Sequence, residues 1–252
     1  MGEMDVTGNI TRAALSKECG PNLAASVLRA IPSAKEILIP HFEHLKKGDI
    51  ILSRRLEKDG SPETSLIEIG QRAVARKNFS DEECHWCHSM VYVGRMHVAE
   101  SQGTYRQNGQ KKQGLRVAPL TEYGNHDLLI CRHKDIEVAG NNTSHYAILT
   151  CVVDPRKYPF QRLYASAIQQ FLGTKLKDFG ILEMLVKKMS QRDLQKAITC
   201  SEFALECLAI GGTCMVEHYN NVNDGRDEFY PADFCKSGEF QRLPMTYMRV
   251  KD

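Results

Sequence analysis

The sequence predicts an α+β fold, and three observations carry that prediction. Residues 87–100 read as a β-hairpin, because β-branched and aromatic residues flank Gly94, which takes a left-handed turn conformation without steric cost. Strand-like apolar runs recur at residues 48–53, 115–117 and 128–132. Thr199 and Glu202 have the T-x-x-E spacing of a capping box, in which each side chain satisfies the other's exposed backbone N–H at a helix start.

In chain order, residues 11–42 carry helical signals, with Leu15, Leu23, Val27, Leu28 and Ile31 forming an apolar face before Pro32 interrupts it. Residues 1–44 are therefore expected to be an N-terminal helical extension on a domain spanning 45–252. The first strand is 48–53. An insertion follows at 54–86, with a short amphipathic helix at 65–76 and a polar loop at 78–86 beside the hairpin. With Val93-Gly94-Arg95 as the hairpin loop, His88, Met90 and Tyr92 share a face with Met96, Val98 and Glu100, and His88 lies directly across from Glu100. A two-residue loop at Gly94-Arg95 would put Ser101 opposite His88 instead and group the apolar residues less well. Residues 101–113, rich in Gln, Gly and Lys, read as an exposed loop. Strands follow at 115–117 and 128–132, with a third strand-like run at 146–153 ending at Asp154-Pro155. Helical patterns at 160–171 and 180–197 lead to the capped helix, which starts at Cys200 and stops at Gly211-Gly212.

Cys200 is thus the first residue of a helix, near the positive end of its dipole and near unpaired N–H groups, both of which favour a thiolate. Glu202 opposes that effect somewhat. The chain has nine cysteines, most of them expected to be small buried filler, so a partner base must single one out. The hairpin supplies it. A carboxylate at Glu100 would accept one ring N–H of His88, fix its tautomer and leave the other nitrogen to take a proton from a thiol, which is triad logic. Trp86, Ser89, Tyr92 and Ser201 neighbour these residues in sequence and are the candidates for a substrate pocket. A rival reading takes Cys84-His85-Trp86-Cys87-His88 as zinc ligands. Four ligands within five residues make a poor tetrahedron, however, and a structural zinc site draws its second pair from a separate segment. No metal or cofactor is expected.

At 252 residues, 42% hydrophobic and 25% charged, the chain can bury a core of its own. Its formal charge of +2 gives no special attraction to nucleic acid or to a membrane surface. No apolar run is long enough for a membrane span, and the amino terminus fits neither a signal peptide nor, with Val6 where Ser or Thr is needed, the myristoylation pattern. The odd cysteine count points to free thiols in a reducing compartment: the cytoplasm, or the recipient cell's cytosol for a delivered protein.

Seven runs also stand in a telling order. Lys47-Gly48-Asp49-Ile50-Ile51-Leu52 precedes His88-Ser89-Met90-Val91-Tyr92-Val93-Gly94, then Val98-Ala99-Glu100-Ser101 and Gly114-Leu115-Arg116-Val117-Ala118-Pro119-Leu120. Leu128-Leu129-Ile130-Cys131-Arg132, Cys200-Ser201-Glu202-Phe203 and Tyr230-Pro231-Ala232-Asp233-Phe234 follow. In this order the chain resembles the circularly permuted NlpC-type papain-like hydrolases, the YiiX-like group, with lecithin:retinol acyltransferase-like proteins as distant relatives. The resemblance implies a permuted papain-like fold, with an antiparallel sheet or small barrel packed against the helix bearing the cysteine. It implies Cys200 as nucleophile, His88 as general base, Glu100 as the third polar residue, and the Cys200 backbone N–H as part of an oxyanion hole. The implied reaction is hydrolysis of an amide bond (peptide, isopeptide or amidated) in a peptide, protein or acyl-bearing substrate. Acyl transfer or thioester cleavage on a lipid or acyl substrate, and a catalytically silent binding protein of the same fold, are the alternatives. Two departures stand out: Ile198-Thr199 occupies a place where the family often has an aromatic residue, and the 54–86 segment exceeds a minimal connection, as a substrate-facing cap would.

Overall fold

The computed structural model describes residues 6–19, 37–55, 71, 80–107, 109–123, 126–154, 156–158, 198–213 and 229–251. In chain order the elements are β1 (Val6–Thr11), α1 (Arg12–Cys19), β2 (Ile37–Pro40), β3 (Ile50–Arg55), β4 (His88–Gly94), β5 (His97–Gln107), β6 (Gln110–Pro119) and β7 (His126–His133). They continue with α2 (Ile136–Val153), α3 (Cys200–Gly211), α4 (Pro231–Lys236), β8 (Phe240–Pro244) and β9 (Tyr247–Lys251). Short 3-10 turns stand at Phe42–His44, Glu83–His85 and Leu120–Tyr123.

Strands β3 to β8 form one antiparallel sheet in the order β6-β5-β4-β3-β7-β8, so β6 and β8 are its edges. Alternation along the strands splits the core in two, since successive side chains point to opposite faces. Ile50, Leu52, Val91, Val93 and Ala99 pack with Phe203, Ala204 and Leu208 of α3 and Ala147 of α2. On the other face Ile51, Met90, Tyr92, Val98 and Ile130 pack with Ile10, Leu15, Ile39, Tyr247 and Met248. The α+β class expected from the sequence is what forms, with α2, α3 and α4 on one face and α1 on the other.

The run at Lys47-Gly48-Asp49 has a structural explanation. Gly48 sits at φ +87°, and a Cβ there would come within 2.8 Å of the Gly140 Cα in α2; a Cβ on Gly140 would come within 2.1 Å of the Lys47 carbonyl oxygen. Asp49 is fully buried and accepts the Lys46 N–H at 2.8 Å and two Arg132 nitrogens at 2.9 and 2.7 Å. The turn before β3 is thereby fixed to both β7 and α2.

Four sequence expectations are corrected. The described part of the N-terminal extension is not simply helical: β1 pairs parallel and β2 antiparallel with β9 in a three-stranded sheet, β1-β9-β2, and α1 follows β1. Leu15 does face the core, at 0% exposure, whereas Leu23, Val27, Leu28 and Ile31 lie outside the described residues. Residues 101–107 and 110–113 are strands and not a loop: β5 and β6 run on as a long hairpin, with Gly109 at φ +79° just before β6. Gln110–Gln113 are all exposed, so this ribbon carries none of the apolar alternation by which a half-buried strand is recognised. Residues 146–153 are the last turns of α2, in which Ile136, Ala139, Gly140, Thr143, Ala147 and Thr150 are buried at helical spacing. Packing against α3 outweighs the strand preference of its aromatic and β-branched residues.

The hairpin register also differs. Arg95 and Met96, at φ +48° and +58°, form a two-residue turn between the paired Gly94 and His97, with an irregularity between Tyr92 and Gly94. Val91 faces Ala99 and Tyr92 faces Val98, a register that sets Glu100 diagonal to His88, not directly opposite. The shift is two residues, so every side chain keeps its face. The expected helices at 160–171 and 180–197, and that at 65–76 apart from the helical Gln71, lie outside the described residues.

Candidate active site

The capping box forms as the spacing requires. The Thr199 hydroxyl accepts the Glu202 N–H at 3.2 Å, and the Glu202 carboxylate accepts the Thr199 N–H at 2.9 Å. Two further bonds hold the start of α3: the Ser101 hydroxyl donates to the Ile198 carbonyl at 2.6 Å, and Ser201 donates to the Phe229 carbonyl at 2.7 Å. Cys200 is therefore the first helical residue and is held against β5 from the residue before the cap. It is 1% exposed.

His88 opens β4, at the strand end where the Glu100 face and the start of α3 are both within reach. Its Nε2 hydrogen-bonds the Glu100 Oε2, and Cys200 stands close enough to the ring to act on its charge. With Nε2 engaged by the carboxylate, Nδ1 is the nitrogen left for the thiol. Tyr123 lies parallel to the His88 ring, centroids 6.1 Å apart and planes 15° apart, and its hydroxyl donates to the same Glu100 oxygen. Arg116, paired with Glu100 across β5 and β6, brings Nε and a terminal nitrogen each to 2.8 Å from Oε1.

The electrostatics follow from this packing. Burial pulls His88 down, but the charges of Cys200 and Glu100 and the hydrogen bond to Glu100 outweigh it and push the imidazole up to about 10. Burial raises Glu100, yet His88, Arg116 and Tyr123 together bring it down to about 2. For Cys200 burial favours the neutral thiol; the adjacent imidazolium and the nearby polar groups of Ser89 more than offset that, and the thiol is held below its ordinary value. The buried Ser89 hydroxyl, close to Cys200, makes no hydrogen bond among the described residues. Three other thiols behave in the opposite way. Burial pushes Cys151 up to about 12, Cys207 is raised mainly by burial, and Cys131 is raised first by its hydrogen bond to Cys235 and then by burial.

No known protein-family model matches the chain, and no curated protein does.

The structure thus brings together Cys200, His88, Glu100 and Ser89. Trp86 is buried beside this group, with the Arg54 guanidinium 5.0 Å above its ring and Arg54 in turn bonded to Asp127 at 2.8 Å. Its backbone is tied down by buried Gln71, which donates to the Trp86 carbonyl at 2.9 Å and accepts the Ala232 N–H at 3.0 Å. Ser201 is spent on Phe229. Tyr92 packs into the core of the opposite face, where its hydroxyl accepts the Met96 N–H at 3.3 Å, so it is not gathered at the site. Among the described residues no group of three or more His, Cys, Asp or Glu converges as metal ligands would, the Cys84–His88 run included.

Two residues of the cluster escaped sequence reasoning. Arg116 lies in a quoted run, and a hairpin through residues 101–113 would have set it across from Glu100. Tyr123 sits in a 3-10 turn with no pattern pointing to it. As assembled, the site can present a thiolate beside an imidazolium that is braced from behind by a carboxylate, which suits attack on an electrophilic carbonyl.

Proposed function

We propose that this chain is a cysteine-dependent hydrolase of amide bonds in a peptide or protein, with Cys200 as nucleophile, His88 as general base and acid, and Glu100 as the group that orients and charges the imidazole. One observation carries the reading: a single histidine hydrogen-bonds a buried carboxylate through Nε2 and stands beside a buried thiol at a helix start. With the Cys200 proton already held by His88 as an ion pair, the thiolate attacks the amide carbon. The oxyanion is received by the Cys200 backbone N–H, one of the donors that a helix start leaves unpaired. His88 then protonates the leaving amine and the acyl-thioester remains. Water, deprotonated by His88, releases the acid and restores the thiol.

The permuted papain-like frame suggested by the motif order fits the arrangement of a histidine-bearing strand before a cysteine-bearing helix. A reducing, cytoplasmic setting suits a chain whose described cysteines are free. Among the described residues no helix is long and apolar enough to cross a membrane.

The test is to incubate cell lysate with wild type or Cys200→Ala and map new peptide termini and deamidated positions by mass spectrometry. Cleavage products present only with wild type are expected. Identical peptide maps from the two proteins, each confirmed folded, would sink the proposal.

A further inference from the structure

An ionised carboxylate offers about four acceptor directions, two on each oxygen. At Glu100 all are filled: Oε1 meets two nitrogens of Arg116 at 2.8 Å each, while Oε2 takes the Tyr123 hydroxyl and His88 Nε2. Glu100 is 0% exposed, so water does not compete for any of these positions. A carboxylate held by three donors has one direction left to offer, and rotation about its terminal torsion would break the Arg116 fork. Tyr123 acts twice, since the same ring that donates to Oε2 lies parallel to the imidazole and limits its tilt. From this geometry we infer that Arg116 and Tyr123 are positioning residues that lock Glu100, and through it hold the His88 ring with Nδ1 turned to Cys200.

The inference rests on the Cys200–His88 reading above and adds what sets its ionisation. Every element packed around Glu100 contributes a group: His88 from β4, Arg116 from β6, Tyr123 from the turn after it, and the nearby thiol of Cys151 of α2. Arg116 also meets Glu122 at 2.9 Å and the Tyr105 ring at 4.7 Å, and Cys200 of α3 stands beyond His88. Within this set Arg116 is the cation that balances Glu100. With Cys200 and His88 as an ion pair the four groups sum to zero charge, and removing Arg116 leaves the cluster negative when the thiolate forms. That disfavours the thiolate.

Two substrate-free readouts test this. The ultraviolet absorbance of the thiolate, wild type minus Cys200→Ala, is followed against pH. The downfield proton resonance of the hydrogen-bonded His88 Nε2–H is followed by NMR. Arg116→Met is expected to raise the pH at which Cys200 ionises by about one unit, a typical effect of one nearby charge, and Arg116→Lys by less because the charge is kept without the fork. Tyr123→Phe is expected to shift the Nε2 proton resonance or speed its exchange. Should Arg116→Met fail to fold, Arg116→Lys and Tyr123→Phe decide. A folded variant that moves either readout supports the inference; folded variants that leave both at the wild-type positions overturn it. If wild type itself shows no thiolate below the ordinary cysteine range, the nucleophile reading fails instead, so the two failures are distinct.

Discussion

Replacing Glu100 by glutamine keeps the shape of the side chain and removes the charge at the centre of the site. Glutamine has one oxygen where the carboxylate has two, so its NH2 must face either the Arg116 fork or the His88 and Tyr123 donors, all of them buried. The size of the effect can be worked from the carboxyl itself. Its displacement from 4.5 to about 2 is roughly 3 kcal/mol at ~1.4 kcal/mol per unit. That agrees with the roughly 3–5 kcal/mol for removing one partner of a buried ion pair. The sign is fixed by linkage. A depressed carboxyl contributes stability that is present above its unfolded value of ~4.3 and is lost as pH falls toward the folded value. Urea unfolding of wild type and Glu100→Gln should therefore show a gap of about 3 kcal/mol at neutral pH that narrows in acid, between roughly pH 4 and 2. The raised His88, 6.5 when unperturbed and about 10 in the fold, contributes stability that is full below 6.5 and is lost as pH rises through about 10. The gap should accordingly narrow again on the alkaline side. A variant as stable as wild type at neutral pH, or a gap that does not change in acid, would refute the account of the charge cluster.

Two other substitutions probe the frame. Gly140→Ala would drive a Cβ to 2.1 Å from the Lys47 carbonyl oxygen; because both sides of that contact are backbone, α2 must lift from the β3 turn. Thermal unfolding should show a loss of roughly 1–3 kcal/mol. Thr199→Ala removes the acceptor for the Glu202 N–H at the start of α3 and should cost about 1 kcal/mol in chemical denaturation. A null result for Thr199→Ala would mean that the cap does not hold the Cys200 turn.

How much of this was legible in the sequence varies by element, for physical reasons. The Cys200 helix start was readable because capping is local: Thr199 and Glu202 need only each other. His88 and Glu100 were matched through a register two residues off, and the match survived because side-chain direction in a strand depends on parity alone. Arg95 and Met96 hid the true turn, since two adjacent non-glycine residues at positive φ go against intrinsic preference. The misreading of 146–153 has the opposite origin. Tyr146, Ile148, Thr150, Val152 and Val153 are strand formers by preference, and only packing of Ala147 and Thr150 with the α3 side makes them helical. Arg116 was out of reach for a topological reason: its partner is settled by a ribbon whose exposed residues carry no periodic signal.

The order in which the cluster's members occur along the chain also matters for folding. Glu100 meets His88, Arg116 and Tyr123 at separations of only 12, 16 and 23 residues, all within consecutive strands and the turn that follows them. Cys200 comes more than a hundred residues after His88. Short loops close at a lower entropic cost than long ones, so His88, Glu100 and their braces can come together as a local meander before Cys200 joins them. The proposed nucleophile would then meet its proposed base only when α3 docks on the sheet, and until then Cys200 would behave as an ordinary thiol.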